Sequence, residues 1–245
     1  MNDHGHGHGH GHDQAEVLDL DAEILAEHTA SIIEWLPIES PRQIVDLGCG
    51  TGAGTFALLA RFPEAHITAV DASVDHLRRL REKACEQGLT DRVSTVQADL
   101  DAEWPDLGSP GLVWASASLH HMADPDRVLR QVHDTLAPGG LLAVVELAGM
   151  PRFLPDDVPE SRLEQHHHDE RVPHRGADWA PLLTAAGFTV EGERTVTVHI
   201  ERSAAVERYA HASLRRLLDP EALHRVLQRD DIALRTERTV WAARK

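Results

Sequence analysis

Short apolar runs separated by polar, helix-forming stretches recur along the chain. Ile44–Leu47, Ala65–Val70, Val93–Gln97, Leu112–Ser116 and Leu141–Leu147 read as strands. The last is nearly continuous in apolar residues, as a strand covered on both faces requires. Between them lie helical patterns. Ser73 opens one that Gly88 closes, and Asp124-Pro125 caps another that runs to Leu136 with Val128, Leu129 and Val132 facing inward. Asp178–Ala186, stopped by Gly187, reads as a further helix. Strands alternating with helices, joined by right-handed crossovers, predict an α/β fold with a doubly wound, mostly parallel sheet.

Both ends of the chain add to this core. Asp13-x-x-Glu16 has the form of a capping box, and Leu18, Leu25, Ile32 and Leu36 keep one face apolar up to Pro37. The pattern predicts one helix across 14–36. Beyond residue 187, Phe188–Ile200 and Ile232–Arg244 alternate as strands, while Ser203–Leu218 and Pro220–Gln228 read as helices. The expected organisation is a His/Gly-rich disordered tail over 1–13 and one domain over 14–245. Its core spans 40–148, with lid segments at 14–36 and 150–176 and a helical insert at 203–229.

The most informative segment is Asp46-Leu47-Gly48-Cys49-Gly50-Thr51-Gly52-Ala53-Gly54, which follows the first strand. Alternating glycines there allow a sharp turn into a helix, with ligand close to the backbone. By spacing alone, Gly48-x-Gly50-x-x-Ala53 also fits a dinucleotide fingerprint, with Asp71 as its ribose acid. The landmarks that follow favour another reading. They are Asp71 at the second strand's end, Ala98-Asp99-Leu100 after the third, Leu119-His120-His121-Met122 after the fourth, and Leu136-Ala137-Pro138-Gly139-Gly140 before the fifth.

In that order these motifs resemble the class I, Rossmann-like methyltransferases that use S-adenosylmethionine, of the small-molecule type. The resemblance covers residues 40 to 148 specifically. It implies a seven-stranded sheet with an antiparallel edge strand, S-adenosylmethionine as cofactor and S-adenosylhomocysteine as product. It places Asp46, Gly48, Cys49, Gly50 and Gly52 at the methionine and ribose, Asp71 and Ala72 at the ribose, Asp99 and Leu100 at the adenine, and Ser116 near the methionine moiety. Cys49 reads as a small buried filler rather than a nucleophile.

Methyl transfer from a sulfonium is an in-line displacement, governed mainly by placement of the acceptor. His120 and His121 are the candidate bases, with at most one facing the acceptor. Arg152, Arg162, Arg171 and Arg175 would favour a carboxylate or phosphate acceptor if one or two face inward.

Two other classes stay open. His4, His6, His8, His10 and His12 alternate with glycine, unlike a consecutive purification tag, and could chelate metal. With His166, His167, His168 and His174 they motivate a metal-handling or sensor protein on the same scaffold, although 165–169 reads as a solvated loop. A nicotinamide oxidoreductase rests on the glycine spacing alone.

Net charge narrows the partners. With 24 basic and 40 acidic residues the chain carries −16, which argues against a nucleic-acid surface. No apolar run approaches the roughly 20 residues needed to cross a bilayer, and the start is polar. Two cysteines make no disulfide framework. A cytoplasmic enzyme acting on a small molecule is expected, and oligomeric state is not readable.

Overall fold

The computed structural model describes the backbone of residues 8–171, 174 and 176–245, and the side chains of 14–149, 151–166, 174 and 176–245. Seven strands form one sheet in the order β3-β2-β1-β4-β5-β7-β6. They are β1 (Gln43–Leu47), β2 (His66–Asp71), β3 (Val93–Gln97), β4 (Leu112–Ser116), β5 (Leu141–Arg152), β6 (Thr189–Ile200) and β7 (Leu234–Arg244). Strands β1 to β5 pair in parallel, whereas β7 runs antiparallel between β5 and β6. The antiparallel strand therefore sits one place in from the edge, and β6 forms the edge.

Helices cover both faces, as buried parallel strands require. On one face α5 (Pro125–Thr135) and α7 (Ala180–Ala185) bury Val128, Leu129, Val132 and Leu183 against Val113, Ala115, Leu142 and Val144. On the other, α2 (Ala26–Trp35) and α3 (Ala53–Arg61) bury Ile32, Ile33, Leu58 and Leu59 against Ile44, Ile67, Leu112 and Ala143. Alternate strand residues thus serve opposite layers. Each buried Leu, Ile or Val contributes roughly 1.5–3 kcal/mol. Helix α4 (Val74–Glu86) begins at the Ser73 cap, whose hydroxyl accepts the His76 N–H. Asp124 caps α5 in the same way through the Arg127 N–H.

A second core lies over one end of the sheet. It joins Leu20 and Leu25, Phe153, Leu154 and Val158, Val198, and residues of α8 (Ala204–Leu214) and α9 (Pro220–Leu227), including Val206, Tyr209 and Val226. The N-terminal segment, the stretch after β5 and the insert therefore pack as one unit.

Three elements differ from the sequence pattern. The N-terminal helix is two: α1 (His8–Ile24) and α2, broken at Leu25. Because α1 starts at His8, the Asp13 box lies inside a helix, and residues 8–12 have helical backbone. His4 and His6 lie outside the described residues, as do the side chains of His8, His10 and His12. Strand β5 runs five residues past Leu147, because its partner β7 is long enough to keep bonding it through two register shifts. Residues 165–169, read as a loop, belong to α6 (Ser161–Arg171), which is tied down by Glu164 accepting the N–H groups of Phe153 and Leu154. Among the described residues no helix is long and apolar enough to cross a membrane.

Candidate active site

The strand order reverses between β1 and β4, and their C-terminal ends open a crevice where doubly wound sheets bind ligands. The loop after β1 forms one wall. Gly48, Gly50 and Gly52 all have positive φ, a region L side chains rarely adopt. A side chain on Gly48 would collide with Ser118 from the loop after β4, so the two walls touch there. The space over Gly50 is different. A Cβ there would meet only Leu18 of α1, at 3.3 Å. The first helix thus lies directly across the glycine loop.

Asp46 and Asp71 hold the loop from two sides. Asp46 is buried and accepts the Thr55 hydroxyl at 2.6 Å. Burial, aided by the Asp71 charge, pushes its carboxyl up to about 7 against the opposing Thr55 bonds. Asp71 accepts the Gly50 N–H and the Ser73 N–H, each at 2.8 Å, and meets His76 Nδ1 at 3.3 Å. Burial works against its charge, but the bonds from His76, Ser73 and Gly50 hold it below its ordinary value. His76 was not singled out in the sequence. Its position one turn into α4 was the available signal. Cys49 is buried, and desolvation, then the charges of Asp46 and Asp71, push its thiol up and leave it no nucleophile.

The remaining cofactor candidates line the same edge. Ala72 is exposed, and its carbonyl accepts Gln97 Nε2. Asp99 is exposed and accepts the Asp101 N–H, while Leu100 is buried with its carbonyl on Arg127. Ser116 ends β4 half-buried. The next residue, Ala117, has φ 50°, the one positive φ outside glycine among the described residues. Such strain is kept where the surrounding structure forces the chain to turn. Here it turns the chain from the end of β4 toward Glu146 of β5, which the N–H groups of residues 118–120 meet.

That turn separates the two histidines. His120 is buried, with Nδ1 2.5 Å from Glu146 Oε2 on β5. The other oxygen of Glu146 accepts the N–H groups of Ser118, Leu119 and His120. His121 is exposed at the rim, its ring 4.1 Å from that of His120. Partial desolvation, then the His120 ring, hold it below the ordinary histidine value. Glu146 lies inside an apolar strand run, and its pairing with His120 spans 26 residues. No local pattern connects them.

Helix α1 closes the crevice through two acids. Asp19 accepts the Thr51 hydroxyl at 2.6 Å and bonds Lys83 and Arg79 of α4. Asp21 accepts the Tyr209 hydroxyl at 2.9 Å and Arg238 Nη2 at 2.7 Å. Of the four arginines singled out in the sequence, Arg152 ends β5 half-buried and Arg162 is exposed. The side chains of Arg171 and Arg175 lie outside the described residues. Arg238, on β7, meets Asp21 instead, and the distant sequence position of that strand hid it.

The methyltransferase domain family matches residues 45–142. A trans-aconitate 2-methyltransferase of Acidovorax sp. (strain JS42) is 39% identical over 214 residues, covering 80% of this chain and 78% of that protein. This chain belongs to the S-adenosylmethionine-dependent methyltransferases. The same enzyme name belongs to a relative from Paracidovorax citrulli (strain AAC00-1), 30% identical over 212 residues, with 77% of this chain and 75% of that one covered. Among solved structures, coclaurine N-methyltransferase bound to N-methylheliamine and SAH superposes with a TM-score of 0.59 at 16% identity, over 90% of this chain and 72% of that one. Precorrin-6y C5,15-methyltransferase from Geobacter metallireducens GS-15 gives 0.56 at 14%, over 89% and 88%. Both share the fold of this methyltransferase. Among the described residues no group of three or more His, Cys, Asp and Glu is placed to hold a metal ion. The comparisons give the metal-handling and nicotinamide readings no support.

Proposed function

We propose that this methyltransferase moves the methyl group of S-adenosylmethionine to a carboxylate oxygen of a small polycarboxylic acid. The observation that carries this reading is Arg238 of β7, whose guanidinium already holds one carboxylate, that of Asp21 on the helix over the glycine loop. Arg152, Arg235 and Arg238 each have a buried nitrogen with no hydrogen-bond partner among the described residues. An unmet buried donor costs about 1–3 kcal/mol, and a guanidinium fork matches a carboxylate. The relatives are named for trans-aconitate, a tricarboxylate.

The cofactor fits the residues present. Gly50 has only the Leu18 side chain of α1 over its backbone, and Asp71 lies at the end of β2 with three of roughly four acceptor positions taken. In this reading Gly48, Gly50 and Gly52 carry the methionine part, with Asp46 and Cys49 holding the loop from below. Asp71 and Ala72 meet the ribose, Asp99 and Leu100 the adenine, and Ser116 the methionine side. When bound, the cofactor supplies an electrophilic methyl on a sulfonium. The protein's part is then placement: Arg238 holds a carboxylate of the acceptor, and α1 excludes water.

A carboxylate arrives already deprotonated, so no base is required. A second reading, transfer to a hydroxyl, draws on the His120–Glu146 pair, which suits a general base. Labelled S-adenosylmethionine with trans-aconitate, citrate and a hydroxyl-bearing panel separates them. The carboxylate reading expects a base-labile methyl ester, and His120→Ala to cost less than about tenfold in turnover. The hydroxyl reading expects an ether and a loss of about 10²–10⁴. Binding of S-adenosylhomocysteine with no ester formed on any carboxylate would remove the first reading.

A further inference from the structure

We propose that Arg238 reads the acceptor's carboxylate, and that Asp21 of α1 fills its place until the acceptor displaces it. The inference rests on the carboxylate reading above and adds which residue recognises the group and what competes for it.

Arg238 sits on β7 opposite Leu147 of β5, next to the residue that bonds His120. Its Nη2 donates to one oxygen of Asp21, and Tyr209 of α8 donates to the other. A single carboxylate is thus held between a guanidinium and a phenol, the chemistry an acidic ligand would require. The binding is incomplete. Arg238 Nε is buried without a partner among the described residues, although a side-on carboxylate would use Nε together with Nη2. Thr236, two residues earlier on the same face of β7, also has a buried hydroxyl without a partner among the described residues. Arg152 and Arg235 differ: Arg152 is engaged by Asp156, and Arg235 points to the opposite face from Arg238.

The competing carboxylate belongs to the element that covers the cofactor loop. Leu18 lies over Gly50, and Asp19 bonds Thr51, Lys83 and Arg79. The seam between α1 and α8 buries Leu20 beside Val206 and Tyr209, and two ion pairs flank it, Glu23 on Arg208 and Glu16 on Arg215 just past the end of α8. Displacing Asp21 removes the bonds of Arg238 and Tyr209 to α1 and so loosens the helix roofing the cofactor. Acceptor arrival and cofactor exchange share one latch.

The test uses the full chain in two arms. In the first, Asp21→Asn removes the competing charge. Where the latched form predominates about ten to one, the KM for trans-aconitate should fall by up to about tenfold. Arg238→Lys, which keeps charge but loses the fork, should raise that KM by at least as much. A KM raised by both variants would make Asp21 part of a fixed structural pair and overturn the proposal. The second arm is independent of methyl transfer. Asp21→Ala opens the site, and formate at about 0.1 M should raise its thermal midpoint, with no such response in wild type or in Asp21→Ala/Arg238→Lys. No formate response in Asp21→Ala overturns the anion site. A formate response without ester formation on any carboxylate by wild type keeps the anion site and removes the acceptor assignment.

Discussion

His120 and Glu146 form a buried pair, Nδ1 to Oε2 at 2.5 Å, in which the carboxylate's second oxygen gathers three backbone N–H groups of the turn carrying the histidine. The acid thus holds both the ring and the loop. It also keeps the proton on Nδ1, leaving Nε2 as the nitrogen available to a ligand.

Glu146→Gln should reverse that arrangement. The amide oxygen takes over the backbone N–H groups, so its NH₂ faces His120 and the ring must accept at Nδ1. The proton then moves to Nε2. Nitrogen-15 chemical shifts of His120 should report the Nε2–H tautomer in the variant and Nδ1–H in the wild type. Identical shifts in both would dissociate Glu146 from the ring's protonation.

The cofactor loop gives two separable outcomes. Asp71→Asn keeps the shape but halves the acceptor capacity, and should weaken S-adenosylhomocysteine by roughly 1–3 kcal/mol in a folded protein. Gly48→Ala acts on the fold, since the new Cβ meets Ser118 and the backbone needs φ of 66°. It should cost roughly 2–4 kcal/mol of stability by strain and overpacking. Calorimetry for the first and urea unfolding for the second distinguish them. Unchanged cofactor affinity in Asp71→Asn would count against the ribose role.

Glu164 makes stability depend on pH. Its carboxyl is pushed from an ordinary 4.5 to about 7, chiefly by burial, against the opposing N–H groups of Phe153 and Leu154. Between those values the folded protein binds more protons than the unfolded chain, so stability falls as pH rises. The contribution is complete below about 4.5 and gone above about 7. Glu164→Gln should remove it, changing the wild-type-minus-variant difference by on the order of 2–3 kcal/mol between pH 5 and 8. Equal pH slopes in the two proteins would place Glu164's titration near its ordinary value.

Much of the layout is legible in the order of residues alone. The helix from Asp124 announces itself by its cap, its proline and the spacing of Val128, Leu129 and Val132, and all three are buried. The five parallel strands announce themselves as apolar runs, three of them ending in Asp46-Leu47, Asp71 and Ser116. The N-terminal helix is legible as helix but not as two. The break at Leu25 follows from α1 packing on α8 while α2 packs on α3, a division of partners that no local pattern carries.

The sequence by itself determined the glycine loop, the acid at the end of β2 and the position of the two histidines. Those features are local: a turn, a strand end and a neighbouring pair need only a few consecutive residues. Tertiary structure alone decided that Glu146 meets His120, that Asp21 meets Arg238 across 217 residues, and that Leu18 covers Gly50. The physical reason is that these pairs sit on different strands and helices. Strand order and helix packing bring them within a few ångströms, and chain spacing does not encode that approach.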